Sequence, residues 1–145
     1  MLCSGKVYYD LLEEREKRGV KDIHFLRMEQ LYPFPVDALA QELEPYKHCD
    51  LVWCQEEPRN MGPWAFVSSF IEEVAEDIGF EKPRPRYAGR PSAASPATGS
   101  HKRHVEEQAA LVDDALTLGK KRMGRIESRK VQTEARMGRK GQAAE

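Results

Sequence analysis

The sequence predicts an α/β fold with a mainly parallel sheet that helices cover on both faces. Short apolar stretches alternate with stretches of helical periodicity four times along the chain, and this alternation is typical of parallel sheets. Residues 51–54, "LVWC", are apolar throughout, as expected of a strand that is buried on both faces of its sheet. The chain has 145 residues, a length that suits one ordinary domain.

Four stretches of the sequence predict strands. The first comprises only the three residues before a turn at "SGK", whereas an average strand has about five or six, so it resembles the last part of a strand. The fourth is a weak prediction because prolines lie near its ends. In chain order the four strand candidates are residues 1–3, 23–28, 51–54 and 84–91.

Four further stretches have the apolar periodicity of helices, and glycine or proline marks most of their ends. The strongest is the third, in which apolar residues recur at i, i+3 and i+4 behind Pro63. The expected helices cover residues 7–18, 36–43, 63–79 and 101–119. The expected inward stripe of the last helix is Val105, Gln108, Ala109, Val112, Ala115 and Leu116.

Charge is distributed unevenly along the chain. Residues 117–145 contain nine Lys/Arg and three Glu, a formal charge of +6, whereas residues 1–116 contain fourteen Lys/Arg and twenty-one Asp/Glu, a formal charge of −7. We therefore divide the chain into an α/β domain, residues 1–118, and a basic tail, residues 119–145. The tail has few large apolar residues, so we expect it to be disordered because it cannot offset the entropy cost of ordering.

Composition argues against several classes of protein. No apolar run is long enough to span a bilayer, and the N-terminus is too short and polar for a signal peptide, so we expect a cytoplasmic protein without a membrane partner. Cys3, Cys49 and Cys54 form no CxxC pair, which argues against a disulfide framework or a zinc site. We expect buried or half-buried reduced thiols. The tail lacks a nucleic-acid-binding module, so we do not expect a nucleic acid partner.

The turn Ser4-Gly5-Lys6 is a candidate anion site. It follows a predicted strand and opens a predicted helix, where backbone N–H groups and the helix dipole favour negative charge. Lys6 would add a positive charge. The GxxxxGK[ST] pattern of a P-loop is absent, and the alternative is an ordinary strand–helix turn in which Gly5 allows a tight bend.

Two polar residue pairs are weaker candidates for chemistry. Glu56 and Glu57 follow a buried strand and could act as acid and base, but no nucleophile or third group is fixed beside them. His101 and His104 lie in the first turn of the last predicted helix. A capping or interface role is favoured for them over metal binding, and we assign no metal ligands.

Two loops, residues 29–35 and 55–64, each follow a predicted strand and combine acidic, aromatic and proline residues. Because parallel strands end at one edge of their sheet, both loops should lie at that edge. Aromatic residues on such loops favour contact with another protein chain, although they could instead close the core. The expected assembly surface consists of Glu29, Tyr32, Phe34, Glu56, Glu57, Asn60 and Trp64.

Four stretches, in order along residues 2–116, form a specific combination. They are "LCSGKVYYDL" (2–11), "RMEQLYPFP" (27–35), "QEEPRNMGPW" (55–64) and "YAGRPSAASPATGSHKRHVEEQAALVDDAL" (87–116). Together they resemble the C-terminal end of the decarboxylating, thiamine-diphosphate-dependent first component of 2-oxoglutarate dehydrogenase. The resemblance implies a transketolase C-terminal-domain-like fold with a truncated first strand, and a role in completing the homodimer and bracing the catalytic domains.

The resemblance also implies what the parent enzyme does. That enzyme uses thiamine diphosphate and magnesium to decarboxylate 2-oxoglutarate oxidatively and passes a succinyl group to lipoamide in the tricarboxylic acid cycle. The GDG motif that holds this cofactor is absent from the chain, so we expect no cofactor, no catalytic residue and no activity of the chain alone. The expected partners are other domains or a second copy of the parent enzyme, and indirectly the dihydrolipoyl succinyltransferase complex.

Three hypotheses follow from the sequence. The half strand at the start predicts a fragment of such an enzyme, from a truncated gene product or a split gene model. The alternative, which the resemblance implies because some similar domains bear such sites, is a free-standing regulatory module that binds acetyl-CoA or a nucleotide and docks on the parent enzyme. Its candidate residues are Ser4, Gly5 and Lys6. The third hypothesis is a nucleic-acid-binding protein that acts through its basic tail.

Overall fold

The computed structural model describes residues 1–117, and the predicted disordered tail lies outside the described residues. Within that range the chain forms one sheet of four strands in the order β2-β1-β3-β4, and every neighbouring pair is parallel. The strands are β1 (Leu2–Cys3), β2 (Leu26–Arg27), β3 (Val52–Gln55) and β4 (Arg86–Gly89). The predicted α/β class with a parallel sheet is confirmed.

All four predicted helices are present. They are α1 (Val7–Arg18), α2 (Val36–Leu43), α3 (Trp64–Asp77) and α4 (His101–Leu116). Gly19 ends α1 in a left-handed conformation, with its backbone N–H bonded to the carbonyls of Arg15 and Glu16, as the sequence predicts. A short 3₁₀ helix, Glu44–Tyr46, follows α2 at the proline that prevents the helix from continuing.

The strands β2 and β4 are shorter than the sequence predicts, and β3 begins and ends one residue later. Residues 23–28 provide a strand of only two residues because β1 offers few backbone partners. Leu26 N donates to Met1 O at 2.8 Å and Met28 N donates to Cys3 O at 2.9 Å. The length of β2 is therefore set by its neighbour rather than by its own apolar residues.

Side chains alternate between the two faces of the sheet and create two core layers. Leu2 lies opposite Trp53, and Cys3 lies opposite Cys54. The first pair packs with α2 and α3, and the second packs with α1 and α4. The buried helix residues are Leu39, Leu43, Val67, Ile71, Val74 and Ala75 on the first face and Val7, Leu11, Leu111, Val112, Ala115 and Leu116 on the second.

The predicted inward stripe of α4 is partly wrong. Val105 is 51% exposed and Ala109 is also exposed, whereas Leu111 is buried. The C-terminal half of the helix sets its orientation, because it packs on α1 and β4. Arg86 fixes this contact by donating to the backbone oxygen of Asp114 at 2.9 Å.

The three cysteines lie in different surroundings. Cys3 and Cys54 are buried, and Cys49 is exposed, so the expectation of a buried or half-buried thiol is wrong for Cys49. Burial raises the pKa of the Cys3 thiol to about 11 and that of Cys54 to about 12. Both buried thiols are therefore protonated at neutral pH.

We predict that iodoacetamide modifies the folded chain at Cys49 alone, because alkylation needs an accessible thiolate. Mass spectrometry of the native protein at mildly alkaline pH should show one adduct, and three after unfolding in denaturant. Modification of Cys3 or Cys54 in the native protein at the rate of Cys49 would contradict the described core.

Candidate functional site

Four loops leave the carboxyl edge of the sheet, where parallel strands end. They are the β1–α1 turn, residues 4–6, and the β2–α2, β3–α3 and β4–α4 loops, residues 28–35, 56–63 and 90–100. Because β1 lies between β2 and β3, the two predicted contact loops are separated by the β1–α1 turn. The chain leaves β1 for one face and β3 for the other, which makes this position the switch point where open α/β sheets bind ligands.

A polar cluster occupies the switch point. Lys6 Nζ lies 2.7 Å from Asp10 Oδ2 and 3.9 Å from Glu56 Oε1. Gln108 Nε2 donates to the same two oxygens, at 2.7 and 3.0 Å. The hydrogen bond to Asp10 raises the pKa of Lys6. The structure thus brings together two residues that the sequence predicts for separate roles, Lys6 and Glu56. It adds Asp10 and Gln108, which the sequence does not assign to a site.

The charge of this cluster bears on the predicted anion site. Gly5 has φ of +72°, which allows the tight turn into α1, and Ser4 is half-buried beside it. However, the Lys6 ammonium is already paired with one carboxylate and lies near a second. With two carboxylates and one ammonium the cluster is negative overall, so it favours a cationic group over an incoming anion.

The β3–α3 loop is built on the side chain of Gln55, which is only 1% exposed. Its Oε1 accepts hydrogen bonds from Trp53 Nε1 at 2.9 Å and from the backbone N–H of Trp64 at 3.0 Å. Its Nε2 donates to the backbone oxygen of Met61 at 2.8 Å. One buried amide therefore joins the end of β3 to the first residue of α3.

The partners of Gln55 also fix which way its amide faces. Both groups at Oε1 are donors, and Nε2 faces only carbonyl oxygens, including those of Glu57 and Pro58, each at 3.3 Å. A flipped amide would place donors against donors. The loop closes so tightly around this amide that Gly62 has no room for a side chain. A Cβ there would lie 2.8 Å from Glu57 Cβ and 3.0 Å from Gln55 Nε2.

Contacts with β4 and the segment after it hold the outer side of the β3–α3 loop. Asn60 and Ala93 exchange two hydrogen bonds, with Asn60 Nδ2 donating at 2.9 Å and Ala93 N donating at 3.0 Å. The Arg59 guanidinium lies 5.9 Å from the Trp64 ring and 5.3 Å from the Tyr87 ring. Asn60, predicted as a contact residue, therefore holds the loop in place.

The four aromatic residues near the two predicted contact loops divide into core and surface. Trp53 is fully buried, and Phe34 and Trp64 are half-buried against the α2–α3 layer of the core. Tyr32 is 83% exposed. The interpretation that these aromatics close the core therefore applies to Trp53, Phe34 and Trp64, whereas Tyr32 is left exposed. Glu29, an exposed carboxylate of the first loop, pairs with Arg27.

A groove of about 390 Å³ adjoins the polar cluster and extends to the start of α4. The residues that line it include Glu56, Glu57, His101 and His104. The structure therefore brings together the two polar pairs that the sequence offers as weaker candidates for chemistry. Arg90, which also lines it, was missed in the sequence because its role depends on a distant partner.

Arg90 is held by Glu107 of α4, with Arg90 Nε donating to Glu107 Oε2 at 2.7 Å. Arg103 Nε donates to the other oxygen of the same carboxylate at 2.8 Å. Hydrogen bonds from Arg103 and then Arg90 lower the pKa of Glu107. This carboxylate therefore binds the segment after β4 to α4.

Among residues 1–117 no group of three or more His, Cys, Asp or Glu side chains is placed to hold a metal ion.

None of the helices formed by residues 1–117 is long and apolar enough to cross a membrane.

Residues 1–116 match the sequence family described as 2-oxoglutarate dehydrogenase C-terminal. The chain belongs to this family. It is 58% identical over 116 residues to the 2-oxoglutarate dehydrogenase E1 components of Brucella anthropi, Brucella ovis and Brucella canis. The resemblance that the sequence motifs indicate is thus confirmed, and residues 1–116 correspond to the C-terminal region of a 2-oxoglutarate dehydrogenase E1 component.

The match covers unequal shares of the chains compared. It includes 80% of this chain but only 12% of each of these three E1 components. The chain therefore spans about an eighth of the length of the curated relatives it matches.

We predict that Gln55→Leu destabilises this family member strongly, because the Trp53 indole N–H and several loop groups lose a buried partner. The cost of each buried group left unpaired is about 1–3 kcal/mol. Urea unfolding followed by circular dichroism measures the loss. Gln41→Leu, an exposed position on α2, should change stability by no more than about 0.5 kcal/mol. Equal stability of the two variants would contradict the role given to Gln55.

We predict that Glu107 stabilises the fold in a pH-dependent way. Because its pKa in the folded chain lies below the ordinary value of 4.5, its contribution is present above that pH and is lost as the pH falls through the folded pKa. The difference in Tm between wild type and Glu107→Gln should therefore be greatest near neutral pH and shrink below pH 4.5. Glu106→Gln, at an exposed neighbouring position, is the control. A difference that stays constant with pH would contradict the prediction.

Proposed function

We propose that this chain is an assembly domain of a 2-oxoglutarate dehydrogenase E1 enzyme, and that it contacts its partner through the carboxyl edge of its sheet. The partner is another domain or a second copy of that enzyme. One observation carries the proposal. At the edge where α/β sheets bind their ligands, this chain presents an exposed tyrosine, Tyr32, and the acidic side chains of Asp10 and Glu56.

The composition of the edge suits contact with protein. Tyr32 offers a large amphipathic ring, and tyrosine is enriched at interfaces. Glu56 and Glu57 lie on a loop whose backbone is fixed from inside by Gln55, so little ordering entropy would be lost on binding. The negative cluster around Lys6 and Asp10 would accept an arginine or lysine of the partner.

In this proposal, other domains of the enzyme carry out its chemistry. The enzyme would decarboxylate 2-oxoglutarate oxidatively and transfer a succinyl group to lipoamide, with thiamine diphosphate and magnesium held by residues of other domains. The dihydrolipoyl succinyltransferase complex would meet this chain only indirectly. The chain alone would therefore be inactive.

No observation favours the alternative of a regulatory acetyl-CoA or nucleotide site at Ser4, Gly5 and Lys6. The carboxylates of Asp10 and Glu56 would have to move away before a phosphate could approach Lys6. The transketolase C-terminal-like fold and the cytoplasmic location remain predictions from the sequence and its resemblance.

A complementation experiment tests the assembly role. The Brucella anthropi E1 component, produced without the region that matches this chain, is mixed with the purified chain. We expect a complex in sedimentation velocity and a gain in decarboxylation of 2-oxoglutarate over either part alone. A folded chain that sediments separately would contradict the proposal.

Matched charge reversals locate the contact. Glu57→Lys lies at the carboxyl edge, whereas Glu16→Lys lies on the exposed side of α1 away from that edge, and both glutamates are exposed. We expect Glu57→Lys and Tyr32→Ala to weaken the complex and Glu16→Lys to leave it unchanged. An equal effect of Glu57→Lys and Glu16→Lys would place the contact elsewhere.

A further inference from the structure

The outer surface of α2 and α3 carries acidic residues without basic ones. Residues 28–46 and 60–81 contain no lysine or arginine. The two helices contribute six carboxylates, Asp37, Glu42, Glu72, Glu73, Glu76 and Asp77. None of these six forms an ion pair with a lysine or arginine of residues 1–117.

An apolar patch lies on the same surface. Phe34 stacks on Phe70 at 4.9 Å between ring centroids, and Phe66 lies 5.1 Å from Phe70. Phe66 is 41% exposed and Val36 is 45% exposed. One exposed ring thus rests on two half-buried ones, and a contiguous apolar patch marks a contact surface more often than scattered apolar residues do.

Along α3 the aromatic and acidic residues form one line. Phe66, Phe70, Glu73 and Asp77 follow each other at three- and four-residue steps, which place them on one side of a helix. We name the α2–α3 face by its exposed and half-buried residues. They are Val36, Asp37 and Glu42 of α2 and Phe66, Phe70, Glu72, Glu73, Glu76 and Asp77 of α3.

We infer that the α2–α3 face binds the basic C-terminal segment of this chain, residues 118–145. That segment has a formal charge of +6, the opposite sign to the face, and its basic residues are interleaved with Met123, Ile126, Val131 and Met137. A basic segment with apolar side chains is complementary to an acidic face with an aromatic patch.

The segment is long enough to reach the α2–α3 face. Its 28 residues reach up to about 90 Å when extended, whereas the radius of gyration of a domain of this size is about 13 Å. The segment can therefore pass from the end of α4 on one face of the sheet to α2 and α3 on the other. Its covalent attachment also raises its effective concentration at the face.

A second copy of the same face is excluded as the occupant by charge. A symmetric contact would place the carboxylates of α3 against those of the other copy, and like charges brought together repel. The inference rests on this chain alone and goes beyond the proposed assembly role, so either can fail while the other stands.

Zero-length cross-linking of the full chain tests the inference. A carbodiimide joins lysine to carboxylate only where the two groups touch, and mass spectrometry of the peptides identifies the pairs. We expect the lysines of the segment, Lys120, Lys121, Lys130 and Lys140, to cross-link to Glu72, Glu73, Glu76 and Asp77. High salt should abolish these products because it screens exposed charges.

Two matched double variants make the test specific. Glu73→Lys/Glu76→Lys reverses charge on the α2–α3 face, and Glu13→Lys/Glu16→Lys does the same on exposed positions of α1. We expect Glu73→Lys/Glu76→Lys to lose the cross-links of the segment to the two carboxylates that α3 keeps, Glu72 and Asp77. The α1 double variant should retain all of its cross-links to α3. Phe66→Ala should weaken them without a charge change. Cross-links of the segment mainly to α1 or α4, or none at low salt from a chain with native circular dichroism, would overturn the inference.

Discussion

The hydrogen bonds of one buried amide, the side chain of Gln55, determine how the chain leaves the central strand β3. They join the Trp53 indole, the backbone of the β3–α3 loop and the first residue of α3. Because a buried amide must satisfy both its donors and its acceptors, these contacts permit one path for the loop. The position of Glu56 beside Lys6 and the start of α3 both follow from that path. The outward direction of Phe66 and Glu73 on α3 follows in turn.

The sequence predicts the helices well and the strands less well, for a physical reason. Helical periodicity is local, and the apolar spacing from Val67 to Ile78 identifies α3 without knowledge of its surroundings. Strand length depends on the partner, and β2 pairs in register with the two residues of β1. The inward stripe predicted for α4 was partly wrong because Val105 and Ala109 are apolar but lie where none of the elements in residues 1–117 covers them. Periodicity shows that a helix has an inner side, but tertiary packing decides which side that is.

Some residues of the candidate site could likewise be predicted from the sequence, and others could not. Lys6 and Glu56 could be selected from the sequence because each follows a predicted strand. Their neighbour Gln108 could not, since it lies 98 residues from Asp10 in the chain and reaches it only after α4 packs on α1. Gln55 had a signal that was easy to miss. A polar residue directly after the apolar stretch 51–54, before two glutamates and a proline, is the last residue of a buried strand rather than the first of a loop.

In the proposed assembly role, this carboxyl edge, as shaped by Gln55, is where this C-terminal region meets the rest of its enzyme. Hydrogen–deuterium exchange tests it most directly, on the chain alone and on the chain mixed with a Brucella E1 component that lacks the matching region. The account predicts added protection in residues 4–6, 28–35 and 56–63, with little change at the opposite edge, residues 19–24 and 46–51. Protection confined to that opposite edge, or unchanged exchange throughout, would contradict it.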